Sequence, residues 1–169
     1  MKRNIAIFSS VPLFSLIIFL TTAGGGGHAA GIASLSFEPG PSASGHGNFR
    51  YPDGALRTLS FHARTDKNGV TDGSFVVNNR EIDNFLKGDI DCLYINGNYA
   101  QMSGTVTSSN VAAVPVGTKT RFAVQDNGEG SKAPPDLMSS FNHSPVPCNQ
   151  SPFLGFSFVA DGGNIQVNP

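Results

Sequence analysis

Carboxylates and side-chain amides gathered in one Gly-rich stretch make the first chemical candidate in this chain. Asp126-Asn127-Gly128-Glu129-Gly130, with Asp136 shortly after, supplies three carboxylates and an amide. Calcium takes oxygen ligands of this kind, so Asp126, Asn127, Glu129 and Asp136 are its candidate ligands. Their spacing is not that of an EF-hand loop. Asp66-Lys67-Asn68-Gly69-Val70-Thr71-Asp72 has a similar look but lacks the middle and final acids. Asp, Asn and Gly are also the ordinary residues of turns, and turn chemistry is the plainer account of both segments.

A carboxylate pair comes next. Asp89 and Asp91 are two residues apart, so on a strand they project from one face. General acid/base work needs two carboxylates in different surroundings within a cleft. Arg57 falls on the same strand face as Leu59 and Phe61 and could neutralise one of them. Inward charge is costly unless paired or placed at a rim, so a solvated, inert rim position is the competing account and the preferred one.

The four histidines, His28, His46, His62 and His143, show no metal-ligand spacing. No Gly-x-Ser-x-Gly elbow, phosphate loop or dinucleotide fingerprint is present. The absence of Trp weakens a sugar-stacking platform, although Tyr94 and Tyr99 offer a small aromatic surface. No catalytic residue and no cofactor beyond a possible calcium ion follow from these motifs. Asn142-His143-Ser144 and Asn149-Gln150-Ser151 are formal glycosylation acceptors, relevant only in a eukaryotic secretory route.

The two cysteines, Cys92 and Cys148, are expected to form a disulfide if the chain is exported. The start of the chain points that way. Met1-Lys2-Arg3 is a basic opening, and Ile5 to Leu20 carries no charge. That is a signal-peptide pattern over residues 1–30, with cleavage between 23 and 31. The apolar run is marginal for a membrane span, which needs about 20 residues, and Pro12 interrupts it. No cysteine follows to carry a lipid. The expected location is secreted or periplasmic, with no membrane insertion after cleavage.

Losing Lys2 and Arg3 leaves nine basic against twelve acidic residues, a net charge of −3. Phosphate backbones are repelled by such a surface, so nucleic acid is not an expected partner. No polybasic stretch suggests anionic lipid. The chain is expected to be a monomer, and its ligand or surface partner is not identified by composition.

The elements that must position these groups are strands. Gly, Pro and Phe are abundant, and long helix-forming runs are missing. Expected strands cover 31–37 at an edge, 46–51, 55–65, 70–78, 119–126, 153–160 and 165–167. Pro39 to Gly45 reads as linker, 79–88 as a loop or one helical turn, and 107–118 as a loop with a short strand at 111–116. Asp126 to Phe141 and Pro145 to Pro152 read as long loops. Asn68-Gly69 should turn with two successive positive φ values, and Asp161-Gly162-Gly163-Asn164 should be another turn. The best-defined unit is 89–106. A two-residue turn at Asn96-Gly97 or Gly97-Asn98 puts Leu93, Ile95, Ala100 and Met102 on the core face and Cys92, Tyr94 and Tyr99 on the other. The same parity sends Asp89 and Asp91 inward.

About eight strands at hairpin spacing over residues 31–169 predict one all-β domain, an antiparallel barrel or sandwich. Sequential hairpins favour a barrel-like meander.

The order of several pieces also resembles a family of small secreted bacterial domains, the post-COAP-type domains. The pieces are Gly45-His46-Gly47, Arg57-Thr58-Leu59-Ser60-Phe61, Asp89-Ile90-Asp91-Cys92-Leu93 and Gly97-Asn98 with Ser103-Gly104. Asp126 to Gly130, Pro134-Pro135-Asp136 and Gly163-Asn164-Ile165-Gln166-Val167 complete them. The resemblance implies a bacterial source, export and a β-rich domain, and brings no activity or catalytic residues with it. Three functional expectations stand side by side. One is a non-catalytic binding module with a ligand site at a barrel mouth ringed by the Asp126–Asp136 loop. The others are a hydrolytic or metal-assisted enzyme using Asp89/Asp91 or that loop, and a calcium-stabilised envelope component.

Overall fold

Alternation of apolar and polar residues on successive hairpins closes this chain into a barrel. The computed structural model describes residues 40–130, 132–150 and 154–169. The expected signal segment and the strand at 31–37 lie outside the described residues. The strands are β1 (Ser42–Arg50), β2 (Leu56–Thr65), β3 (Thr71–Asn79), β4 (Asn84–Asn96), β5 (Tyr99–Ser109), β6 (Lys119–Gln125), β7 (Leu137–Ser139) and β8 (Phe156–Asn168). Each pairs antiparallel with the next, and β8 pairs back onto β1. The all-β barrel-like meander is therefore the architecture. Among the described residues closure gives every strand two neighbours, which covers most of the sheet edge.

The inward face is apolar. Leu59, Phe61 and Ala63 come from β2, Phe75 from β3, Ala100, Met102 and Val106 from β5, and Phe122 and Val124 from β6. Phe122 lies at the centre of an aromatic group, with ring centroids 5.8 Å from Phe61, 5.7 Å from Phe75 and 4.8 Å from Phe141. Gly88 on β4 makes room for this group, because a Cβ there would collide with the Phe75 ring.

The β4–β5 turn is the two-residue Gly97-Asn98 alternative, with Asn96 paired to Tyr99 and Gly97 at φ 60°. A glycine with positive φ at the first central position is the type II′ arrangement. Leu93, Ile95, Ala100 and Met102 face the core as the parity requires. The Asp66–Val70 turn works differently from expectation. Gly69 takes positive φ and Asn68 does not. Instead the Asp66 carboxylate accepts the Asn68 and Val70 amides at 2.9 and 2.8 Å. The hydrogen bond from Val70 leads the causes that hold the Asp66 carboxyl below its ordinary value.

Bulges account for other departures. In β4 the register slips between Ile90 and Cys92, leaving Asp91 as the extra residue. In β8 it slips opposite Asn48 and Phe49, at Asp161. The expected turn at Asp161–Asn164 is thus a bulge within one long strand, where the chain bends to close on β1. Gly163, at φ 115°, crosses so close to the His46 carbonyl that no side chain fits. Residues 42–45, read as linker, belong to β1. β7 lies inside a stretch read as loop, and 111–116 is a turn with Val114 N–H donating to Val111 O.

Candidate functional site

Strand direction sorts the connections onto two ends of the barrel. One end carries the Tyr51–Ala55, Arg80–Asp83 and Asn110–Thr118 segments and the chain after β7. The other carries the Asp66–Val70 and Gly97–Asn98 turns and the Asp126–Asp136 loop.

The Asp126–Asp136 loop ties down its end of the barrel. β7 is only three residues long, so β8 runs past it and its later amides need other partners. Asp136, buried, accepts the Ile165 amide on Oδ2 and the Asn127 amide on Oδ1, each at 2.9 Å. Asp126 accepts Val167 at 3.1 Å and Gly128 at 2.8 Å. Asn127 donates through Nδ2 to Pro135 O, while Glu129 is exposed beside a polar recess of about 210 Å³. Among the described residues no group of three or more His, Cys, Asp or Glu is arranged to hold a metal. Two of the three acids of the calcium expectation, Asp126 and Asp136, act here as backbone acceptors. Asp136→Ala strands the Ile165 and Asn127 amides and is expected to lower unfolding free energy by about 3 kcal/mol. Asp136→Asn, which keeps one acceptor, should lose less; urea denaturation of both measures the difference.

Asp89 and Asp91 correct the parity argument. Both are exposed on the outer wall, while Leu86, Gly88 and Ile90 point inward. The bulge at Asp91 reverses the alternation counted back from the hairpin. Asp91 pairs with Lys119 at 3.2 Å. Asp126 sits in the end loop, so the three acids of the hydrolytic expectation do not converge. Arg57 does lie on the inward face as expected, but it pairs with Asp53 at 2.7 Å rather than with either acid.

The outer wall of β4 and β5 carries a second constellation. Cys92 and Cys148 are bonded, with Cα atoms 5.8 Å apart. Gln101 donates to Cys148 O at 2.8 Å and accepts the Leu154 amide at 2.9 Å, while Ser103 Oγ accepts the Cys148 amide at 3.1 Å. The segment around Cys148 is thereby held flat on the wall. Burial pushes the Tyr99 phenol up to about 12, opposed by its hydrogen bond to Leu154 and the charge of Arg121. His46 and His62 sit outside the barrel against Ser60 and Ser74. His28 lies outside the described residues.

The apolar hollow is at the other mouth. A cavity of about 340 Å³ opens there, walled by Tyr51, Val77, Phe85, Leu86, Val111, Val114 and Phe141. Arg57, Asn79, Asn84, Ser140 and His143 bring polar atoms to it. Its walls are fixed from several elements. Tyr51 accepts the Gly54 amide, stacks on Phe158 at 4.1 Å and lies under the Arg57 guanidinium at 3.8 Å. Burial raises the Tyr51 phenol, against the pull of Arg57. Asn110 accepts the Phe85 amide and donates to Asp83 O, both at 2.7 Å, joining two rim segments. A backbone bridge between Arg121 and Asn142 sets Phe141 against Phe122. No family model, no curated protein and no solved structure matches this chain. The mouth must therefore be read on its own chemistry.

Of the residues singled out beforehand, only Arg57 and His143 reach this cavity. Tyr51, Phe85, Val111, Val114 and Phe141 were missed as site residues. Phe141 carried a usable signal, a large aromatic stranded in a Pro- and Ser-rich stretch.

Proposed function

We propose that the protein is an exported binding module that takes a small, mainly apolar molecule into this mouth. The carrying observation is the cavity itself, an apolar hollow with a few polar groups at its edge. Ligand pockets are built this way and start at about 300 Å³. The rest of the interior is filled by the Phe122 cluster, so the ligand sits at the rim and does not thread the barrel. The aromatic walls suit a flat ring system, and Asn79, Asn84 and His143 suit one polar substituent on it.

Export is supported by the opening sequence and by the Cys92–Cys148 bridge, which belongs to oxidising compartments. Among the described residues no helix is long and apolar enough to cross a membrane. The outer wall carries Arg64, Asp72, Lys87, Asp89 and Asp91 exposed, and such charges suit water better than lipid. A bacterial source rests on the resemblance to post-COAP-type domains.

1-Aminoanthracene, a neutral ring system whose fluorescence rises on leaving water, is a suitable probe because the chain has no Trp. The expected result is saturable binding in the low micromolar range, weakened about tenfold or more in Val111→Phe, which fills the hollow. Binding unchanged in Val111→Phe, with the variant folded, would overturn the proposal.

A further inference from the structure

Three polar side chains stand in one row at the mouth. The register pairs Arg57 on β2 with Asn79 on β3, and Asn79 with Asn84 on β4. All three line the cavity. Neighbouring strands lie about 4.8 Å apart, so one edge of a ring molecule can reach more than one of them.

Asn79 is the fixed member of the row. It is 5% exposed, and its Oδ1 accepts the Glu81 amide at 3.1 Å. A backbone N–H needs an oxygen there, so the carboxamide cannot be turned round. Nδ2 is left as a donor with no partner among the described residues. The unpartnered side-chain atoms sealed from solvent are those of Thr120 and Arg121. Nδ2 is therefore reachable, and the open space that Asn79 lines is the cavity. A buried donor without a partner gains most from a ligand that supplies the missing acceptor.

The surrounding groups do not supply it. Arg57 carries donors only, with Nη2 on Asp53 and the guanidinium over the Tyr51 ring. Among the described residues no Asp or Glu lines the cavity. Asp53 and Glu81, in the adjoining rim segments, accept the Ala55 and Leu56 amides instead. Val111, Val114 and Phe141 have no side-chain acceptor to offer.

We infer, on the reading of the mouth as the ligand site, that it selects ring molecules carrying a carbonyl oxygen at one edge, with Asn79 Nδ2 as the donor that reads that oxygen. Asn79 is then the residue that sets specificity, and the apolar walls set only size and shape.

The test displaces 1-aminoanthracene with two ligands of one shape, 9-fluorenone and fluorene, which has CH2 in place of the carbonyl. Fluorenone should bind wild type about tenfold more tightly than fluorene. Asn79→Leu keeps the size and removes the donor, so the ratio should fall to about one, with fluorene affinity changed by less than about threefold. Loosening of the rim through the lost Glu81 contact would weaken both ligands together and leave the ratio standing. Fluorenone that fails to displace, equal affinities in wild type, or a ratio that survives in folded Asn79→Leu would each overturn the inference, and the mouth would stand as long as 1-aminoanthracene binds there. Absence of 1-aminoanthracene binding would remove the mouth and the carbonyl specificity with it. Should Asn79→Leu fail to fold, the Asn79 side-chain amide resonances of wild type decide. Fluorenone must move them downfield along a saturating curve and fluorene must not; the same response to both would overturn the inference.

Discussion

Phe122→Ala is expected to cost about 4 kcal/mol of unfolding free energy, enough to leave a domain of this size marginal. The ring is 1% exposed and touches Phe61, Phe75 and Phe141. Those neighbours come from β2, β3 and the segment after β7, so removing the ring loosens three connections at once. The cavity left behind cannot collapse easily, because closure fixes the strands around it. Phe122→Leu, which keeps most of the volume, should cost less than about 1.5 kcal/mol. Urea denaturation of both variants measures the gap. Similar small losses in the two would mean that the interior is not packed as described. Phe141 also lines the mouth, so Phe122→Ala should weaken ligand binding even where the fold survives.

Removing the disulfide through the double substitution Cys92→Ala with Cys148→Ala should cost nearly as much. The bridge closes a loop of about 57 residues, worth roughly 4 kcal/mol if the constraint acts mainly on the unfolded chain. A local signature should accompany the loss. Gln101 and Ser103 hold Cys148 from the outer wall, so the amides of Cys148 and Leu154 should exchange much faster in the variant. Amides in β2 and β3 should keep their relative order of protection. Denaturation for the magnitude and hydrogen exchange for the location check the two halves separately. A loss under about 1 kcal/mol would show that the Gln101 and Ser103 contacts hold the segment without the bridge.

How far the sequence led follows from these residues. The Asn96-Gly97-Asn98 turn and its parity were legible, because a two-residue turn between alternating strands fixes the register. So was the meander, since the first four connections are short hairpin links of about five residues or fewer. The cysteine pairing followed from expected export and is present in the structure. Parity failed at Asp89 and Asp91 because one extra residue in β4 reverses the alternation, and nothing in the residue types announces it. The same holds at Asp161, where a Gly-rich turn signal marks a bulge. β7 escaped notice because three residues inside a Pro- and Gly-rich loop carry no period.

The site was less legible than the fold. The acidic loop looked like a metal site because residues that suit calcium also suit backbone amides left over at a strand end. Only the position of Asp136 beside Ile165 decides between them. The cavity is made by Tyr51, Phe85, Val111, Val114 and Phe141, which are far apart in the chain and meet only when the barrel closes.

The account centres on the mouth as the ligand site, and methyl-labelled protein titrated with 1-aminoanthracene tests that claim most directly. The account predicts saturating shifts confined to Val77, Ile82, Leu86, Val111 and Val114, with Ile165 and Val167 at the opposite end unmoved. Shifts centred on the Asp126–Asp136 end, or spread without saturation, would contradict it.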